Sequence, residues 1–159
     1  MRGIMTRQQE AHQRLRRIRD EFDASHYALR RAEARWDTEW DATTIEYRKK
    51  VTLGQIRRAF DNLDRTFILR LFAEFEGILL AYWQDALGRQ TSPKIFVLIN
   101  RIGDSCPIPV SSAQRDATHE IRRYRNSLVH VPAEAVEPFT FGVCLSRLGK
   151  YVSYLPQDW

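Results

Sequence analysis

From Ala11 the apolar residues recur in alternating steps of four and three: Ala11, Leu15, Ile18, Phe22, then Ser25, Leu29, Ala32 and Trp36. Ser25 is the one polar member of this seam. A spacing of this kind puts every member on a single stripe of an α-helix and on both faces of a β-strand, so the segment reads as a helix over about residues 6–36. Such a seam needs a partner. Leu63, Phe67, Leu71, Phe75, Ile78 and Tyr82, widened by Ile68, Phe72, Leu79 and Trp83, supply a broader apolar face of the same period. Thr52, with Gln55 three positions on, has the spacing of a capping box at its start, and Gly88 marks its end.

Between them, DTEWDATTIEYRKK shows no clean periodicity and reads as a connection with one loose turn, Trp40 included. Further on, Ser92-Pro93 has the form of a cap and first-turn proline for a short helix, KIFVLINRI, ending at Gly103. DSCPIPV is a loop. Ser111 or Ser112 caps a fourth helix, whose buried stripe is expected at Ala113, Ala117, Ile121, Tyr124 and Leu128. Val131 precedes Pro132, which disfavours helical geometry and stops the helix there. Phe141, Leu145, Leu148, Val152 and Leu155 give a closing amphipathic helix. The expectation is an all-α fold, an up-and-down bundle of about five helices with two long helices first, in one domain spanning residues 1–159.

Several function classes drop out early. No apolar run approaches the roughly 20 residues of a membrane helix. MRGIMTRQQEAH lacks the apolar stretch of a secretory signal, so the expectation is a cytoplasmic protein without a membrane partner. Cys106 and Cys144 stand far apart, outside any CxxC pattern, and read as buried thiols. No two histidines have the helical i, i+4 spacing of a metal pair, so no metal or other cofactor is expected. Net charge is +5 and the excess is nearly all arginine, with four lysines at Lys49, Lys50, Lys94 and Lys150. Arginine's planar fork suits phosphate and stacks on bases, which makes a polyanion a fitting partner.

The chemistry-bearing segment is THEIRRYRNSLVHVP, at the end of the fourth helix. Helical steps place His119, Arg123, Asn126 and His130 on one ridge, flanked by Arg122 and Arg125, and this side is expected to face solvent. Glu76 borders the apolar face of the second long helix, where it is expected at an exposed rim position, with a salt bridge that orients Arg125 or Arg122 as the alternative. Glu74 is expected to pair with Arg70 one turn away. His12 and His26, off the seam of the first helix, are expected at the surface.

The run Arg125-Asn126-Ser127-Leu128-Val129-His130 resembles the motif of the HEPN family, an arginine followed by a polar residue and then, after a short interval, a histidine. The order of helices is similar as well. The resemblance implies a metal-independent endoribonuclease in a stress, defence or toxin–antitoxin setting, with RNA as substrate. Proton transfer would fall to His130, phosphate stabilisation to Arg125, and orientation of His130 or the phosphate to Asn126. Arg122, Arg123 and His119 would bind substrate. It also implies a homodimer with both motifs in one groove, and an antitoxin protein as a further partner. Where some HEPN toxins carry a modifiable tyrosine two positions after the histidine, this chain has Pro132, so control by modification at that site is not implied. The alternative is a non-catalytic HEPN-like module for dimerisation or for binding RNA or nucleotide. A third reading is an adaptor whose seam captures a partner helix.

Overall fold

A computed structural model describes residues 5–36, 42–130 and 136–159. Among the described residues there are six helices and no strand: α1 (Arg7–Arg35), α2 (Ala42–Lys50), α3 (Leu53–Asp85), α4 (Ile95–Ser105), α5 (Ser112–Val129) and α6 (Phe141–Val152). The chain is an all-α helical bundle.

The two long helices form where their capping signals and apolar faces put them. Thr6 and Thr52 each accept a hydrogen bond from the backbone N–H of the glutamine three residues on, and that glutamine's side chain returns the bond. At the far end of α3 the chain turns through Gly88 at φ +61°, and the Arg89 N–H donates to the Trp83 carbonyl. That left-handed position is inexpensive for glycine and strained for other residues.

The pairing of α1 with α3 is antiparallel, and three ion pairs mark its register: Arg14 with Glu74, Glu21 with Arg70, and Glu33 with Arg57. As residue numbers rise along α1 they fall along α3. The expected pairing of Glu74 with Arg70 inside one helix is therefore corrected, since each side chain turns outward to the neighbouring helix instead. The seam is buried at Ala11, Leu15 and Ile18, where α3 and α6 both pack against α1. Phe22 stacks on Phe141 with ring centroids 4.2 Å apart and meets Phe67 edge-on at 5.5 Å. Beyond it, Leu29, Ala32 and Trp36 are half-buried. Ser25 donates its hydroxyl to the Glu21 carbonyl, so the polar member of the seam is satisfied within its own helix.

α3 is the centre of the bundle, packing against α1, α4, α5 and α6. Ile68, Leu71, Phe72, Phe75, Ile78 and Leu79 are buried along it. At about 25 cal/mol per Å² of apolar surface removed from water, each of these side chains contributes on the order of 2 kcal/mol. Tyr151 of α6 closes the core from the other side: its hydroxyl donates to the Ile99 carbonyl at 2.5 Å and its ring meets Phe75 edge-on at 5.5 Å.

Three sequence expectations need correction. The connection between the long helices contains a true helix, α2, whose sequence ATTIEYRKK carries no apolar stripe of helical period. It carries a Glu46–Lys50 pair one turn apart, and the Arg48 guanidinium lies 5.0 Å from the Trp36 ring. α4 starts at Ile95 rather than at the Ser92-Pro93 signal and runs past Gly103 to Ser105, with Lys94 at its N-cap giving no side-chain bond. In α5 the buried face is Gln114, Thr118, His119, Ile121 and Tyr124, whereas Ala113 is exposed and Ala117 and Leu128 are half-buried. The polar members are accommodated because Gln114 Nε2 donates to the Arg147 carbonyl at 2.8 Å and Thr118 Oγ1 to the Gln114 carbonyl at 2.8 Å. Trp40, Val131 and Pro132 lie outside the described residues.

Candidate active site on the fifth helix

Ser111 caps α5, accepting from the Gln114 N–H, and the helix holds its hydrogen bonding to its last turn. His130 is the C-cap, in extended geometry at φ −124° and ψ 149°, and its N–H donates to the Asn126 carbonyl at 2.9 Å. This exit from the helix leaves the His130 side chain exposed, beside Val129, which is 51% exposed.

Arg125 lies the other way. Its guanidinium is half-buried over the ring of Phe72 on α3, 5.9 Å from the centroid, and Nη1 donates to Asn126 Oδ1 at 3.2 Å. Its Nε is buried without a hydrogen-bond partner among the described residues. Five residues turn a helix by about 140° beyond one full rotation, which accounts for the divergence. No hydrogen bond joins the described side chains of Arg125 and His130 within one chain, and Asn126 spends its side-chain oxygen on Arg125 rather than on His130.

The remaining residues of the expected ridge divide. Arg123 is exposed and Arg122 half-buried. Among the described residues, none of Arg122, Arg123 and Arg125 forms an ion pair with a carboxylate, whereas Arg115 and Arg147 nearby are held by Asp104 and Glu120. Glu76 is half-buried on α3, as a rim position would be, and no ion pair among the described residues links it to Arg125 or Arg122. The correction falls on His119. It is 8% exposed, not solvent-facing, because the buried face of α5 is rotated toward it.

Around His119 the chain builds a small polar and aromatic cluster with α4. Its ring lies against Phe96 at 4.9 Å between centroids, and Nε2 is 3.3 Å from Asn100 Oδ1. The Arg122 guanidinium carbon is 5.5 Å from the centroid of the same Phe96 ring, and its Nε has no partner among the described residues. Burial, and then the nearby positive charges of Arg122 and Arg123, push the His119 pKa below its ordinary value and favour the neutral imidazole. Sequence reasoning missed Phe96 and Asn100 by treating aromatic residues as core. The signal was present, since the buried α4 residues Leu98, Ile99 and Ile102 define a stripe that leaves position 96 outside it, and Phe96 is 52% exposed.

The other titratable residues stand apart. His12 is half-buried with Nε2 3.3 Å from Ser153 Oγ, and His26 lies between Phe22 and Phe60, so both stand at the surface partly covered. Cys106 and Cys144 are free and buried, and burial raises their thiol pKa values to about 11 and about 12. Among the described residues no three His, Cys, Asp or Glu side chains are grouped to hold a metal ion. No helix of the described residues is long and apolar enough to cross a membrane. Clefts occur elsewhere on the surface, one of about 700 Å³ lined by Trp83, Arg89, Thr91, Val97 and Arg101, and one of about 550 Å³ bordered by Gln8, Ile108, Lys150 and Tyr154. Neither includes a residue of α5, nor does a third, of about 680 Å³, which His12 and Arg16 line. No protein-family model, curated protein or solved structure matches the chain.

Proposed function

We propose that the chain is a metal-independent endoribonuclease of the HEPN kind, acting as a homodimer through Arg125 and His130. The observation that carries this reading is the last two turns of α5, where three arginines without carboxylate partners among the described residues adjoin an exposed histidine. Unpaired guanidinium groups attract a phosphodiester, and a solvent-facing imidazole is the side chain suited to moving its protons near neutral pH.

In the proposed reaction a base removes the proton from the 2′-hydroxyl, and the oxygen attacks the adjacent phosphorus. The phosphorane carries its extra charge beside the guanidinium of Arg125. The bond to the 5′-oxygen then breaks and that oxygen takes a proton. The products are a 2′,3′-cyclic phosphate and a 5′-hydroxyl. One transfer needs a neutral imidazole and the other a protonated one, and two copies of His130 across a twofold axis provide both. The divergence of Arg125 and His130 within one chain supports the dimer, because a second subunit brings the complementary group to the same phosphate. A stress, defence or toxin–antitoxin role, with an antitoxin partner and a cytoplasmic location, belongs to the same proposal.

The test is RNA incubated with excess EDTA, comparing wild type with His130→Ala. Cleavage by the wild type with cyclic-phosphate ends, lost in the variant, is the expected result; cleavage abolished by chelation contradicts the mechanism. The half-buried guanidinium of Arg125 favours one other reading, a non-catalytic RNA-binding module in which Arg125 serves packing. That reading predicts RNA retention unaffected by His130→Ala and no cleavage at all.

A further inference from the structure

Phe96 presents an unusual combination for an apolar residue. It is 52% exposed, yet its surroundings are fixed. His119 lies against its ring, and Asn100 ties the two helices there by donating Nδ2 to the Phe96 carbonyl at 3.0 Å while its Oδ1 faces His119. Arg122 reaches the same ring from α5, and its Nε is left without a partner among the described residues. A rigid aromatic surface bordered by a cation without a counter-charge is the arrangement that single-stranded nucleic acid uses, with a base on the ring and a phosphate on the cation.

We propose that Phe96, backed by His119 and flanked by Arg122, is a stacking platform for one base of a single-stranded RNA whose scissile phosphate lies at the Arg125–His130 end of α5. This rests on the ribonuclease reading for the position of the cleaved bond but not for the binding itself. Seven residues of helix, about 10 Å of rise, separate His119 from Asn126, so a strand of a few nucleotides spans the two places. Charge selects this occupant. Glu120 is taken by Arg147 and Asp104 by Arg115, while Arg122 and Arg123 remain open to phosphate. Asp116, exposed one turn before His119, is the carboxylate whose charge reaches His119 from this side.

The experiment uses a short single-stranded RNA carrying 2-aminopurine, bound to His130→Ala protein so that the strand stays intact. Phe96→Ala should weaken binding about tenfold or more and abolish the stacking-induced loss of 2-aminopurine fluorescence, whereas Phe96→Trp should preserve both. Because Phe96 is half-exposed, the alanine variant should keep wild-type circular dichroism. Unchanged affinity in a folded Phe96→Ala protein overturns the proposal. So does a mononucleotide that binds as tightly as the strand, or a Phe96→Ala change that splits a dimer in sedimentation while RNA affinity stays the same. In protein with His130 intact, Phe96→Ala should act on KM far more than on kcat. A wild type that binds RNA through Phe96 and cuts nothing removes the nuclease reading and leaves the platform; cleavage with a KM indifferent to Phe96 does the reverse.

Discussion

Asn100 fixes the tautomer of His119. The Asn100 Nδ2 donates to the Phe96 carbonyl at 3.0 Å, so the atom it turns to the imidazole is the oxygen, Oδ1, 3.3 Å from Nε2. A neutral imidazole facing a carbonyl oxygen must carry its proton on that nitrogen. Nδ1 is then a bare acceptor, and it is buried without a partner among the described residues. A histidine held in this way is a structural element that shapes the α4–α5 contact.

This arrangement makes the fold sensitive to acid. The folded-state pKa of His119 is lowered, first by burial and then by Arg122 and Arg123, and that of His12 is lowered by burial and Arg16. An unfolded chain binds these protons from about pH 6.5 downward, while the folded chain resists them. Stability from this source is present above that pH and declines as pH falls through the lowered values. Urea midpoints should drop between pH 7 and pH 5, and His119→Gln should flatten the drop. An equal slope in wild type and variant contradicts the assignment.

A second prediction concerns the seam of α1, where one sequence pattern carries two degrees of burial. Leu15 is 2% exposed among residues of α3 and α6, whereas Leu29 is half-buried. Leu15→Ala should cost about 2–4 kcal/mol and Leu29→Ala clearly less, because transfer and cavity costs both grow with how completely the side chain is enclosed. Chemical denaturation of the two variants measures the difference. Similar losses at both positions require a covering for Leu29 that the described residues do not supply.

That contrast shows what the chain discloses in its residues and what it withholds. Periodicity revealed both long helices and their partnership, since an apolar stripe of helical period has few other ways to leave water. It did not find α2, whose residues have no stripe to bury and whose visible support is Glu46–Lys50 and Arg48 against Trp36. It misjudged the rotation of α5 because Ala113 and Ala117 are short, and a face containing Gln114, Thr118 and His119 packs more side-chain volume once Gln114 and Thr118 are hydrogen-bonded. The same rotation hid His119 and brought Phe96 into play. At the motif, the sequence supplied the residue types, but whether each guanidinium found a carboxylate is a matter of three dimensions. Arg14, Arg57 and Arg70 did, across to a neighbouring helix, and Arg122, Arg123 and Arg125 did not among the described residues.

The sharpest test of the proposed chemistry is the substitution that keeps the charge of Arg125 and removes its shape. The guanidinium donates Nη1 to Asn126 and lies 5.9 Å from the centroid of the Phe72 ring, so what it can offer a phosphate is the remaining part of its fork. A lysine in Arg125→Lys would carry the same charge on a compact ammonium, strongly hydrated, which does not bind two phosphate oxygens side by side. Losing one preorganised donor of this kind costs about 100-fold or more in turnover. Arg125→Lys should therefore cut RNA at least about 100-fold more slowly than wild type, with the melting temperature shifted by only a few degrees (roughly the effect of ~1 kcal/mol). Near-wild-type cleavage by the lysine protein would reduce the role of Arg125 to bulk charge, and a large fall in melting temperature with no loss of rate per folded molecule would assign the guanidinium to packing against Phe72.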